Sequence, residues 1–477
     1  MLFNSFTYLV FLPVVVLLYW LAPSRWRRHL LLVASYLFYM SWLPLYGLLV
    51  GAMTVASFLL GRWMAAAGRK KPLLVLAVAL SLSLLLFFRY TGFILRNASA
   101  LTASLGLPIA VGWFERIVTP LGISFFTFEI IHYLVDVYRG GAPVRSLLDL
   151  ALFVVFFPTQ IAGPIKRYQH FVPQLEHLPT WDAGRASSGL ALVVRGLFKK
   201  VILADTLAAA ADLGFGDPAG LGLVGAWSAV LAFAFQIYFD FSGYTDIGRG
   251  SAMLLGFSIP ENFRLPYLAA NISDFWRRWH MTLSQWLRDY VYIPLGGSWG
   301  TRWQTYRNLF VTMVLGGLWH GANWTFAVWG AYHGFLLVLH HALRPLSERL
   351  PAVGRLAGRR VTQAAGVVAT FVAVCIGWVP FRAASLTQAG AMLGKMFSLE
   401  GGWMGGAVTE TLMVETALII IGHASLVWLD RWLGAGRAWP SLSRRRWLLE
   451  GMLYALLIVA TVAFPPQSSS AFIYFRF

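Results

Sequence analysis

Residues Leu309–Leu339 read LFVTMVLGGLWHGANWTFAVWGAYHGFLLVL. Two apolar runs, LFVTMVL and TFAVWGAYHGFLLVL, enclose GGLWHGANW, Gly316–Trp324. The pattern is that of membrane-embedded chain interrupted by glycines, with one histidine at its centre. A polar ring in hydrocarbon costs free energy unless it finds a partner, so ionisable groups at such depth are functional candidates by default. His320 is therefore either packing glue hydrogen-bonded between helices or a functional group. That choice directs the reading of the rest of the chain.

Composition settles the class. Of 477 residues, 58% are hydrophobic and only 12% are charged, and the mean hydropathy is +0.65. A soluble domain cannot hide that much apolar surface, whereas a bilayer can, given about 20 mostly apolar residues per spanning helix. The expectation is an all-α polytopic membrane protein forming one integrated domain over residues 1–477. The content of 21 Trp, 35 Phe and 18 Tyr suits interfacial belts and helix packing. The single cysteine, Cys375, excludes an intramolecular disulfide and a cysteine-rich metal site. It lies in an apolar run and reads as a small buried hydrophobe. The N-terminal MLFNSFTYLVFLPVVVLLYWLAPS lacks a basic leader and a small-residue cleavage signal, and reads as a retained first helix.

The net charge of +18 does not indicate nucleic acid, because the basic residues cluster in short loops beside apolar runs. Such clusters set membrane orientation. They fall at Arg25/Arg27/Arg28, Arg62/Arg69/Lys70/Lys71, Arg344–Arg360 and Arg431–Arg446. With both termini outside, one assignment puts all of them in the cytoplasm. The apolar runs that define it are Leu2–Leu21, Leu30–Leu43, Leu45–Leu60, Pro72–Phe88, Ile117–Val135, Leu147–Ile165, Gly189–Leu213, Leu221–Tyr238, Leu309–Leu318, Trp324–Leu343, Val361–Val379, Leu412–Leu429 and Trp447–Phe464. Some are too short to cross alone and are expected to be re-entrant, which is tolerable only inside protein or against a cavity. FPTQIAGPIKRY, Phe157–Tyr168, fits such a broken segment, and its Lys166 and Arg167 mark a membrane edge or meet a phosphate. No internal repeat signals a repeat transporter.

Residues 261–308 differ from the rest, being charged and aromatic, and read as an interfacial or cytoplasmic helical segment. Asn271 can cap a helix with Asp274 three residues on. Trp276, His280, Leu283 and Leu287 then share one face at helical spacing, and Asp274 can pair with Arg277 or Arg278 one turn later. The segment thus supplies a second histidine, His280, on an apolar stripe flanked by arginines.

These residues suggest acyl-transfer chemistry. Imidazole is suited to proton transfer near neutral pH. A thioester is already activated, so attack by a hydroxyl needs little beyond deprotonation and oxyanion stabilisation. His320 and His280 are the catalytic candidates; Trp276, Trp319, Asn323 and Asp240 are candidate substrate contacts beside them. Glycines 316, 317 and 321 let backbones or a substrate come close to His320. Arg277 and Arg278 are fixed donors that match an anionic nucleotide donor. In FQIYFDFSGYTDIGRG, Phe235–Gly250, Asp240 and Asp246 end an apolar run and orient a histidine, bind substrate, cap helices or pair with Arg249. Two histidines without an acidic third ligand nearby argue against a metal. His333 reads as a helix-packing contact near the same region.

DFWRRWHMTLSQWLRDYVYIPLGG followed by GGLWHGANWTFAVWGAYHG resembles the membrane-bound O-acyltransferase (MBOAT) family, and within it the bacterial polysaccharide acetyltransferases of the alginate O-acetyltransferase type. ISFFTFEIIHYLVDVYRG, AGPIKRY, GLFKKVILADTLA, FQIYFDFSGYTDIGRG and FIYFRF carry the resemblance along most of the chain; His132 and FPTQ, Phe157–Gln160, depart from the pattern. The resemblance implies a ring of tilted transmembrane helices with re-entrant segments around a central tunnel in a bacterial inner membrane. It implies acetyl-CoA as cytoplasmic donor, an exopolysaccharide as acceptor and a periplasmic acetyltransferase partner protein. His320 would correspond to the catalytic histidine, as base or as transient acyl carrier, and His280 to the second signature position. The rival expectations are a D-alanyl transferase for teichoic acid fed by a carrier protein, and a non-enzymatic polysaccharide export component.

Overall fold

The computed structural model describes residues 1–68, 70–103, 105–106, 112, 114, 117–161, 163–349, 359–399, 416–417, 420, 444–463 and 472–473. Among the described residues there are helices and irregular segments and no strand. The apolar run Leu412–Leu429 and the basic clusters Arg344–Arg360 and Arg431–Arg446 fall wholly or partly outside them. Two compact units are present, Met1–Val193 with Ile247–Glu261, and Val194–Asp246 with Asn262–Phe477.

The first unit holds α1 (Phe6–Leu21), α2 (Ser24–Met40), α3 (Pro44–Ala66), α4 (Lys70–Leu85), α5 (Thr91–Ala103), α6 (Ile123–Tyr138), α7 (Leu147–Val155), α8 (Tyr168–Glu176) and most of α9 (Ala183–Phe198). Local chemistry starts these helices. The Ser5 hydroxyl accepts the Tyr8 N–H at the head of α1, and Pro44 opens α3, where a missing N–H costs nothing. The run Leu147–Ile165 is not one spanning helix. Only Leu147–Val155 is helical, about 14 Å at 1.5 Å per residue. Pro158 and the Gly163–Pro164 step remove backbone donors and break the ladder. The irregular stretch 156–161 is buried throughout, as non-helical backbone at membrane depth must be. Lys166 is no membrane-edge or phosphate-binding residue. It is buried, its ammonium donates to both Glu129 carboxylate oxygens at 2.8 and 3.0 Å, and it lies over the Phe153 and Phe171 rings.

The second unit holds α10 (Asp205–Gly216), the part of α11 (Leu223–Leu254) that ends at Asp246, α12 (Ile272–Trp276), α13 (Met281–Leu287), α14 (Arg302–His320), α15 (Trp324–Arg349), α16 (Arg359–Arg382), α17 (Leu386–Phe397) and α18 (Arg444–Ala463). Helix α11 runs well past Tyr238, the end expected from hydropathy, so Asp240 and Asp246 sit inside a helix and not at its end. Lysines compensate them. Lys199 Nζ is 2.8 Å from Asp246, and Lys200 Nζ is 3.0 Å from Asp240 and 2.7 Å from Asp205. Among the described residues five helices are long and apolar enough to cross a bilayer: Pro44–Ala66, Lys70–Ala103, Leu223–Leu254, Trp324–Arg344 and Arg360–Arg382.

Helices α14 and α15 form a tight hairpin through glycine. A Cβ on Gly317 would lie 2.3 Å from the Phe326 carbonyl oxygen, and one on Gly330 would lie 2.4 Å from that of Met313. Small residues let membrane helices approach to backbone contact, where dispersion rather than hydrophobicity holds them. Gly330→Val is expected to destabilise the fold by about 1–3 kcal/mol or more through overpacking. A lowered thermal midpoint in detergent is the readout, and a midpoint equal to wild type would contradict the backbone contact.

Candidate active site

The His280 segment departs from the continuous amphipathic helix expected over Trp276–Leu287. Asn271 does cap, accepting the Asp274 N–H at 2.8 Å, but α12 ends at Trp276. The chain turns through residues 277–280, and α13 begins at Met281 with His280 as its left-handed N-cap residue, φ +42°. Non-glycine residues avoid this region at a cost of roughly 1–2 kcal/mol. Tertiary hydrogen bonds hold it there. Arg264 N–H donates to the Arg278 carbonyl, Met281 N–H to the Asn262 carbonyl, and both the N–H and the hydroxyl of Thr282 to Asn262 Oδ1. An outlier of this kind, on a fully buried histidine, marks a position the surrounding structure over-determines.

His320 closes α14 and is 3% exposed. Trp319, Trp329 and Phe381 meet its ring edge-on at centroid distances of 5.0, 5.0 and 5.1 Å. The Trp319 ring is also 6.1 Å from His280, which itself packs edge-on to Phe241 at 4.7 Å. Both histidine rings thus pack against one indole, although 40 residues of sequence separate them. Trp276 stands one ring further from His320, 5.8 Å from Trp329 and 5.2 Å from His333. His333 is fully buried among these aromatics. The glycines at 317 and 321 serve packing, since a Cβ on Gly321 would strike the Phe326 ring at 2.2 Å.

The remaining candidates lie elsewhere. Arg277 is exposed, and Arg278, partly exposed, donates through Nε to Asp274 at 2.9 Å. Asp240 is 1% exposed, forms an ion pair with Lys200 and accepts the Ile473 N–H at 2.8 Å. Asn323 is not on the His320 helix. Its Oδ1 accepts the Thr325 N–H at the head of α15 and its Nδ2 donates to the Ala384 carbonyl.

A cavity of about 290 Å³ adjoins the residues that follow His320. Gln236, Asn323, Thr325, Phe381, Arg382 and Ile473 help to line it. Of these, Phe381 and Arg382 lie outside the stretches that carry the family resemblance. Arg382, for instance, is held by Asp212, 170 residues away, and lies over Phe215 and Phe233.

The fold and this centre define a multi-pass, all-helical membrane protein with two buried histidines about one indole, beside a polar-lined cavity. The family profile of MBOAT, the membrane-bound O-acyltransferases, matches residues 136–379. The chain is 44% identical over 416 residues to the probable alginate O-acetylase AlgI of Pseudomonas aeruginosa, covering 84% of this chain and 76% of that protein. It is 36% identical to the peptidoglycan O-acetyltransferase of Helicobacter pylori, covering 84% and 80%. It is 29% identical to the teichoic acid D-alanyltransferase of Bacillus subtilis, covering 56% and 69%. The chain belongs to the membrane-bound O-acyltransferase family and is an acyltransferase.

Proposed function

We propose that the protein moves acetyl from cytoplasmic acetyl-CoA across a bacterial inner membrane to a hydroxyl of an exopolysaccharide, directly or through a periplasmic partner protein. The observation that carries this reading is the burial of His320 at the end of α14, with Trp319 in contact with both it and His280 and a cavity against the residues that follow it. The relatives' names support it, since the P. aeruginosa protein is a probable alginate O-acetylase and the H. pylori protein a peptidoglycan O-acetyltransferase. Both termini face the periplasm in this reading, and residues 261–308 face the cytoplasm. There Arg277 and Arg278 would meet the phosphates of the donor.

In the chemical step His320 takes the acceptor hydroxyl proton as that oxygen attacks the thioester carbonyl. The new C–O bond forms, the C–S bond breaks, and the proton passes from the imidazolium to the leaving thiolate. His280, fixed by the turn at Asn262, holds or polarises the substrate. The aromatic wall around His320 lowers the local dielectric and so strengthens each electrostatic contact made there.

The test uses inverted membrane vesicles containing the full chain, with acetyl-labelled acetyl-CoA added outside and an alginate oligosaccharide trapped inside. Label on the trapped oligosaccharide is expected. No donor consumption, or consumption only of a D-alanyl-loaded carrier protein, would overturn the assignment.

A further inference from the structure

Another cavity, of about 540 Å³, lies in the first unit where α3 ends and α4 begins. Gly68, Lys70, Lys71, Pro72 and Tyr138 line it. It is open to the surroundings, since Gly68, Lys71, Pro72 and Tyr138 are exposed and a Cβ on Gly68 would meet nothing within 4 Å. Among the described residues no acidic side chain lines it. Asp136, two residues before Tyr138 on α6, is taken by Arg139 at 3.7 Å and accepts from Gln169 Nε2 at 2.6 Å. Two ammonium groups and a phenol hydroxyl thus share one space without a counter-ion in it.

The surface next to this space suits hydrocarbon. Helix α3 and the helix that begins at Lys70 are both long and apolar enough to cross a bilayer, so the short connection between them lies at a membrane surface. One turn beyond Lys71 and Pro72, Val75 and Leu76 are 60% and 49% exposed. Ala79 and Leu80 continue the same two rows as exposed side chains. From Pro72 to Leu80 the rows run about 12 Å at 1.5 Å per residue, most of the depth of one leaflet. Trp63, in the last turn of α3, is also exposed, and tryptophans so placed sit at headgroup level. Cations therefore stand at the head of an apolar face, the order in which a phospholipid presents its phosphate and its acyl chains. A freely soluble anion would use the cations and leave the apolar rows uncovered.

We propose that this cavity binds the phosphate of an anionic phospholipid through Lys70, Lys71 and the Tyr138 hydroxyl, with an acyl chain laid along Val75, Leu76, Ala79 and Leu80. Basic pockets beside spanning helices hold anionic headgroups in this way, each lysine contributing about fivefold in affinity. The lipid would tie the head of α4 to the end of α6. The site is independent of the reading of His320.

The purified full chain, delipidated in a neutral detergent, is titrated with phosphatidylglycerol, with phosphatidylcholine of the same acyl chains and with inorganic phosphate. Native mass spectrometry counts the bound lipid. Phosphatidylglycerol is expected to bind about tenfold tighter than phosphatidylcholine, and the preference to shrink as salt screens the lysines. Lys70→Gln with Lys71→Gln should weaken that binding about 20-fold, and Tyr138→Phe about fivefold. Lys70→Arg with Lys71→Arg, which keeps both charges, should bind like wild type. Thermal midpoints without lipid should agree among these proteins, and phosphatidylglycerol should raise the midpoint of wild type and of the arginine variant but not of the glutamine variant. Equal phosphatidylglycerol binding by wild type and the glutamine variant, or equal affinity of wild type for the two lipids, would overturn the site. Should the glutamine variant fail to fold, Tyr138→Phe decides, and unchanged binding there overturns the site. Displacement of phosphatidylglycerol by millimolar inorganic phosphate would make a free anion the ligand and overturn the lipid assignment.

Discussion

His320→Gln is expected to lower acetyl transfer by about 10²–10⁴-fold, the usual contribution of a positioned general base. Glutamine is chosen because three aromatic rings pack on the imidazole, and alanine would open a void with its own stability cost. The measurement is acetyl content of secreted polymer at matched protein level, paired with transfer by purified protein. Activity within threefold of wild type would sink the catalytic role of His320. Trapping of acetyl on the His320 ring during turnover would sink its role as base and make it a nucleophile. A substitution at Trp319 would disturb both histidines together, so His320 is the cleaner probe.

The largest stability effect is expected at Lys200. Its ammonium is shared by Asp205 and Asp240, and all three side chains are 1% exposed. Lys200→Met would leave two neighbouring buried carboxylates without that cation, and breaking a buried ion pair from one side costs about 3–5 kcal/mol. The combination Lys200→Met, Asp205→Asn, Asp240→Asn removes the charge together with its counter-ion and should recover most of the loss. Thermal unfolding in detergent gives both numbers. A single variant as stable as wild type, or a triple variant no better than the single, would contradict the account. Asp240 also accepts the Ile473 N–H, and Ile473 lines the cavity beside His320. Lys200→Met should therefore lower transfer as well as stability.

Several features were legible because their causes are local. The Asn271 cap was visible three residues from its partner, and the Asp274–Arg278 pair one turn away. Membrane class and helical content follow from composition and run length. What failed was continuity. The apolar stripe from Trp276 to Leu287 predicts one helix, yet Asn262 competes for the backbone and side-chain groups at 281–282 and breaks it at His280. Hydropathy ends α11 at Tyr238, yet Lys199 and Lys200 neutralise the acids beyond and let it continue to Leu254.

By itself, then, the chain's order of residues determined that this is a polytopic helical membrane protein, and it pointed to His280 and His320 as polar groups too costly to bury without purpose. Hydrophobic runs and helix caps act within a few residues, so they can be read along a line. Only the tertiary structure packed both histidines against one indole, tied Arg382 to Asp212 across 170 residues and bound Asp240 to Ile473 across 233. Such contacts depend on which helices pack together. No local spacing encodes that choice, and the cavity beside His320 exists only because those distant segments meet.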